Sequence, residues 1–295
     1  MPRVALVSVA AARALDEDLA PLAAAFAARG AAADVVDWDD AGVDWSRFDA
    51  AMLRSTWDYV ARLPEFLGWV ERVGQSTQLF NPGAVVRWNT DKHYLAELQD
   101  AGVAVVPGRF VEPGADPAAA LGAFLDGQAA HADFVVKPAI GAGSRDAQRH
   151  AQADRGAAVA HVARLLDAGR SVLLQPYLER VDSVGETALM YFDGVFSHAI
   201  RKGPLLRRGH GPTAGLFAPE RIAARTASAN ERALADAALA ALPFAAPLAY
   251  ARVDLIQDDD GAPRLLELEL TEPSLFLAHA PDAAARCAAA VLARL

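Results

Sequence analysis

Short apolar runs alternate with stretches of helical periodicity through the first 86 residues, and that alternation leaves few folds open. VALVSV, ADVVDW, FDAAMLR and QLFN are runs of strand length, with helical patterns over Asp18–Arg29, closed by Gly30, and over Pro64–Val73. Strands joined through helices by short links predict a parallel α/β sheet. VALVSV follows Arg3 and ends in small residues, which faintly resembles a secretory leader. The apolar stretch stops at Arg13 and Asp16-Glu17-Asp18 follows at once, so it is read as a buried first strand. The turn Asn81-Pro82-Gly83 marks the end of this unit.

Beyond it the pattern changes. NTDKHYLAELQDAG predicts a helix capped by Asn89 or Thr90, with Lys92 in its first turn, where the helix dipole disfavours a cation. VAVVPGRFV, DFVVKP and SVLLQPYL predict three strands of a small middle unit. ETALMYFDGVFSHAIRK reads as a hairpin turning at Asp193-Gly194, and a glycine- and arginine-rich loop runs from Gly203 to Gly215. Ser228 with Glu231 forms a capping box that opens a later helix.

YARVDLIQ and RLLELEL flank Asp260-Gly261, a two-residue hairpin signal. With that turn Asp254 faces Glu267 and Arg252 faces Glu269, all on one side, while Val253, Leu255, Leu266, Leu268 and Leu270 form the opposite, core side. Opposed carboxylates repel unless a cation lies between them. A solvated face with an Arg252–Glu269 salt bridge leaves Asp254 and Glu267 unexplained; a magnesium site, built from hard oxygen ligands and substrate phosphates, accounts for them. FVVKPAIGAGSRD places Lys137 at a strand end before Gly141, Gly143 and Ser144, a loop able to approach phosphate, although such loops are also common on surfaces. It lacks the third glycine of a dinucleotide fingerprint and the Gly-Lys-Ser/Thr of a P-loop. Arg201 and Lys202 lead into the basic loop with Arg207 and Arg208, which suggests an anion nearby. No HExxH or GxSxG motif is present.

Composition narrows the partners. Of 295 residues 28 are basic and 37 acidic, a net charge of −9 that argues against a nucleic-acid or anionic-membrane surface. The single cysteine, Cys287, excludes an internal disulfide and fits a reducing cytoplasm. No apolar run approaches the ~20 residues that span a bilayer.

In this order the pieces resemble the ATP-grasp superfamily of carboxylate ligases over nearly the whole chain, most specifically over residues 89–275. The resemblance implies an N-terminal parallel-sheet α/β domain (1–86), a small lid domain (87–177) and a larger C-terminal domain with the carboxylate hairpin (178–295). It implies ATP and two Mg²⁺ ions. Lys92, Lys137, Gly141, Gly143, Ser144, Arg201 and Lys202 would hold phosphates, Gln175, Tyr177 and Leu178 the adenine, and Glu186 the ribose. Asp254, Glu267 and Glu269 would bind metal, with Glu269 replacing the commoner asparagine. Arg252 would steady the tetrahedral oxyanion, with Lys137 and Arg201 serving catalysis. Ala188 stands where some members carry a basic residue. Arg54, Ser55, Thr56, Trp57 and Tyr59 of RSTWDY, and Ser274 of TEPS, would contact a small amino-acid-like substrate. A homodimer is expected by analogy. RSTWDY and RWNTDK are similar to the D-cycloserine synthetase family of O-ureido-D-serine cyclo-ligases, which implies ring closure within one substrate. An intermolecular carboxylate–amine ligase, or a nucleotide-binding regulator without turnover, are the alternatives.

Overall fold

A computed structural model describes residues 1–128, 131–209, 211, 221–244 and 248–295. The N-terminal alternation folds as its period requires: β1 (Arg3–Ser8), α1 (Leu19–Ala27), β2 (Ala32–Asp37), β3 (Ala50–Ser55), α2 (Leu63–Val73) and β4 (Gln78–Phe80). The strands form a parallel sheet in the order β2-β1-β3-β4. The apolar run of β1 has to be covered on both faces, and it is. Val4 and Leu6 enter one core with Met190, Tyr250, Cys287 and Val291 from far along the chain. Val7 enters another with Trp38, Leu53, Phe66 and Trp69.

The following segment departs from the predicted single helix. Two short helices form, α3 (Gly83–Asn89) and α4 (Tyr94–Asp100), and Asn89 ends the first instead of capping the second. Its side-chain amide bonds the backbone of residues 268 and 270 (Nδ2 to Leu268 O, 2.7 Å; Leu270 N to Oδ1, 2.7 Å), a competing use of the cap group. Lys92 therefore lies in the link between the two helices, outside any helical first turn, and its amide donates to Ala139 O at 3.0 Å.

β5 (Arg109–Val111), α5 (Pro117–Asp126), β6 (Asp133–Pro138), β7 (Gln148–Ala151), α6 (Arg155–Asp167) and β8 (Val172–Pro176) build an antiparallel sheet ordered β5-β8-β6-β7, with one strand more than the sequence pattern gave. Phe134, Val136 and Leu174 pack there against Leu121 and Leu165 of the two helices. After α7 (Val181–Val184), the strands β9 (Glu186–Phe192), β10 (Val195–Lys202), β11 (Ile222–Arg225), β12 (Tyr250–Gln257) and β13 (Pro263–Glu269) make the third sheet, ordered β11-β10-β9-β12-β13. α8 (Ala229–Ala240) covers one side, and α9 (Ala283–Leu292) packs against α1. The basic loop is described only to Gly209 and at Gly211, so Gly215 lies outside the described residues. Among the described residues no helix is long and apolar enough to cross a membrane.

The turn of the last hairpin is longer than two residues. Asp258 N donates to Ala262 O and Gly261 N to Asp258 O, both at 2.9 Å, which leaves Asp259-Asp260-Gly261 as a three-residue loop with Gly261 at φ +83°. A bulge then restores the register: Leu255 pairs with Leu265 and Asp254 with Glu267, so Leu266 is the extra residue. Leu265 takes the core position expected of Leu266, which turns toward the cavity instead.

Candidate active site

The three sheets enclose a cavity of about 560 Å³. Alternation along β12 puts Arg252, Asp254 and Ile256 on its wall, and β13 adds Leu266, Glu267 and Glu269. Asp254 is buried and paired twice: Lys202 Nζ reaches Oδ2 at 2.5 Å, and the Arg252 guanidinium grips both oxygens at 2.9 Å. Burial would raise its pKa, but Arg252 and Lys202 outweigh burial and hold it below the usual carboxylate range. Lys92 Nζ lies 2.9 Å from Glu267 Oε1, and with Lys137 it lowers the Glu267 pKa against burial. Glu269 pairs with Arg252, yet burial and the neighbouring Asp254 and Glu267 leave its pKa raised. The opposed carboxylates thus tolerate one another through the chain's own cations.

Lys92 also donates to Gly141 O at 2.8 Å, tying the glycine loop to the hairpin. Gly143 (φ 62°) and Ser144 (φ 57°) are both left-handed, and Ala142 packs against the N-terminal core, so the loop lies over the cavity. Lys137 faces in from the end of β6, its pKa pushed down to about 8 by burial and by Lys92, against Glu267 and Glu186. At the far end Val106, Val135, Tyr177, Leu178, Val181 and Ile256 form an apolar cluster joined by Leu206 and Leu266. Gln175 and Glu186 line the same space, Glu186 3.5 Å from Lys202.

Of the residues singled out from sequence, the cavity brings together Lys92, Lys137, Gly141, Gly143, Ser144, Gln175, Tyr177, Leu178, Glu186, Lys202, Arg252, Asp254, Glu267, Glu269, Trp57, Tyr59 and Ser274. It does not include Arg201, whose guanidinium points the other way from β10 to the carbonyls of Ser183 and Val184. Nor does it include Arg54, Ser55 and Thr56, which are fully buried. Arg54 contacts Asp18 at 3.4 Å and Ser55 shares a hydrogen bond with Ser8. Sequence reading passed over Asp16, Glu17, Asp18, Ile256, Leu266, Glu272, Phe276 and His279, which also line the cavity. Ile256 was within reach, two residues beyond Asp254 on the same strand.

A glycine-rich loop, two inward lysines and an acidic hairpin, held between three sheets, make up an ATP-grasp ligase architecture. Residues 4–81 match the N-terminal domain of D-cycloserine synthetase DcsG. The chain is 46% identical over 299 residues to the cycloserine biosynthesis protein DcsG of Streptomyces lavendulae, covering 99% of this chain and 98% of that one. The crystal structure of D-cycloserine synthetase DcsG is similar at TM-score 0.92 and 45% identity, over 99% of both chains. The ATP-grasp ligase PsnB complexed with minimal precursor, Mg and ADP is similar at TM-score 0.64 and 20% identity, over 98% of this chain and 96% of that one, a likeness of fold. The chain belongs to the DcsG family of ATP-grasp ligases.

Among the described residues no three acidic, histidine or cysteine groups converge as a ready-made metal cage. Magnesium does not require one, because it is held by one or two carboxylates together with substrate phosphates. Asp254 and Glu267, cross-strand partners on the cavity wall, fit that donor set.

Proposed function

We propose that the chain closes D-cycloserine from O-ureido-D-serine in an ATP-dependent reaction within a single substrate molecule. The observation that carries this is one cavity holding Lys92, Lys137, the glycine loop and the Asp254–Glu267 pair, in a chain similar to DcsG along its whole length. Residues 87–177 act as the lid over the nucleotide. Adenine lies in the apolar cluster of Val135, Tyr177, Leu178, Ile256 and Leu266, and the ribose lies toward Glu186. Lys92, Lys137, Lys202 and the backbone of Gly141–Ser144 cradle the phosphates.

Asp254, Glu267 and Glu269 would hold two Mg²⁺ ions, which supply charge neutralisation at the phosphate oxygens when bound. The chain's own residues do the rest. They align the substrate carboxylate with the γ-phosphate, so that a carboxylate oxygen takes the phosphoryl group and ADP leaves. The oxyamine nitrogen then attacks the acyl carbon, phosphate departs, the ring closes, and the carbamoyl group is lost to water. Arg252, fixed by Asp254 and by the Ser274 carbonyl at 3.2 Å, is placed to steady the oxyanion of that attack. The glycine loop, held shut by Lys92, keeps water from the acylphosphate.

An ADP-release assay with O-ureido-D-serine and a panel of D- and L-amino acids, read with product masses, tests the proposal. A product of lower mass formed from O-ureido-D-serine alone is expected. Coupled products of higher mass would replace cyclisation by intermolecular ligation.

A further inference from the structure

Each carboxylate of the hairpin that lines the cavity has a cation of the chain against it. Asp254 has Lys202 and Arg252, Glu267 has Lys92, and Glu269 has Arg252. Glu272, three residues on, has none. It is 8% exposed and lines the same cavity, yet among the described residues no lysine, arginine or histidine nitrogen comes within ion-pair distance of it. The charged groups that reach it through space are Glu269 and Glu267, which repel it, and Lys92, which attracts it. Its neighbours are aromatic: Tyr59 lies beside its carboxyl, and the Trp57 indole donates to its main-chain oxygen at 3.2 Å.

A carboxylate buried without a counter-charge is expensive, and a neutral side chain of the same size would fill this space at lower cost. Burial and Glu269 push its pKa up to about 8 in the absence of a partner. Asp16, on the same cavity wall, has the buried Arg54 guanidinium 4.0 Å from its Oδ2. The two segments are tied together by Asp18, whose carboxylate accepts from the amides of Leu275, Phe276 and Leu277.

We infer that Glu272 receives the ammonium group of a zwitterionic amino-acid substrate and so sets the specificity of the cavity for α-amino acids. The assignment rests on the ligase reading of the cavity and deepens it. Ammonium and carboxylate sit on one carbon of an α-amino acid, so anchoring the first at Glu272 fixes where the second meets the phosphate. Flanking aromatic rings suit an organic cation better than a hydrated metal ion.

Calorimetry on the full chain, with Mg²⁺ and a non-hydrolysable ATP analogue, compares O-ureido-D-serine with the same compound bearing hydrogen in place of its amino group. The wild-type protein is expected to favour the amino compound by about ten- to a hundredfold, the range of a hydrogen bond to a charged group. Glu272→Gln should abolish that preference while leaving the desamino compound and the nucleotide bound as before, and Glu272→Asp should restore part of it. A wild-type protein that does not favour the amino compound overturns the assignment, and the comparison needs no variant to fold. So does a Glu272→Gln protein that weakens both compounds alike, or that weakens the nucleotide, which would place the group with the metal. ADP release is read separately. Selective binding without turnover removes the ligation reading and leaves the ammonium site standing, whereas turnover without selectivity does the reverse.

Discussion

Lys92 touches the hairpin and the glycine loop at once, 2.9 Å from Glu267 and 2.8 Å from Gly141 O. Two opposed carboxylates suggest from sequence alone that divalent ions must lie over them. The structure adds that Lys92, Lys202 and Arg252 also offset that repulsion within the protein. Those cations are drawn from β10, β12 and the link between α3 and α4, and no local pattern announces that they meet. Neutralising Glu267 as Gln keeps an oxygen for Lys92 but removes a carboxylate that would hold Mg²⁺ at the phosphates. Glu267→Gln should therefore cut the rate of ADP release by about a hundredfold or more, the range seen when one preorganised electrostatic group is lost. Its melting temperature, by calorimetry, should move by only a few degrees. Unchanged turnover at saturating Mg-ATP would remove Glu267 from the catalytic site.

In the hairpin, two departures from the simplest expectation cancel. A three-residue turn replaces the two-residue one and shifts the pairing; the bulge at Leu266 shifts it back. Arg252, Asp254, Glu267 and Glu269 keep the side they were expected on, while Leu265 and Leu266 change roles. Elsewhere local chemistry was sufficient. Ser228 and Glu231 form the capping box of α8, with Ser228 Oγ accepting from Glu231 N at 3.2 Å and Glu231 Oε2 accepting from Ser228 N at 2.7 Å. The buried Glu231 carboxylate also accepts from Thr187 at 2.6 Å and pairs with Arg225. Burial raises its pKa, but these donors outweigh burial and lower it. The stability that its charge contributes is therefore present above the unfolded carboxyl pKa and lost as pH falls through the depressed folded value. Glu231→Gln should cost about 1–3 kcal/mol near pH 7 by urea unfolding, and the difference from wild type should shrink toward acid pH. A difference that grows toward acid pH would contradict this sign.

On the scale of the whole molecule, the cavity exists only where three sheets meet. β1 and β3 share a core with β9, β12 and α9, so the N-terminal sheet is fixed to the sheet that carries the carboxylates. The antiparallel sheet of β5-β8-β6-β7 brings Lys137, Gln175 and the glycine loop from the other side. A ligand that fills this junction stabilises all three at once. Mg-ATP at a hundred times its Kd should add about 2.7 kcal/mol, readable as a rise in melting temperature that disappears when EDTA removes the metal. No rise with Mg-ATP would argue against nucleotide binding in this cavity.

Most of the elements, the parallel N-terminal sheet and the cavity-facing side of the hairpin were legible from residue order, because hydrophobic period and capping are local properties. The carboxylates could likewise be picked out by their spacing, whereas Lys92 and Lys137 were picked out through the resemblance to the ATP-grasp family. Four outcomes depended on contacts between segments far apart in sequence. Asn89 ends one helix because distant backbone claims its amide; Arg201 turns outward where its neighbour Lys202 turns in. Arg54 disappears into the core beside Asp18, and Glu272 is left without an ion pair among the described residues. Sequence determined which chemical groups this protein has and, for the four charged residues of the last hairpin, which side of its strand each occupies; only tertiary packing decided which charges are neutralised inside the chain and which are left for a ligand, since burial and long-range pairing set that balance.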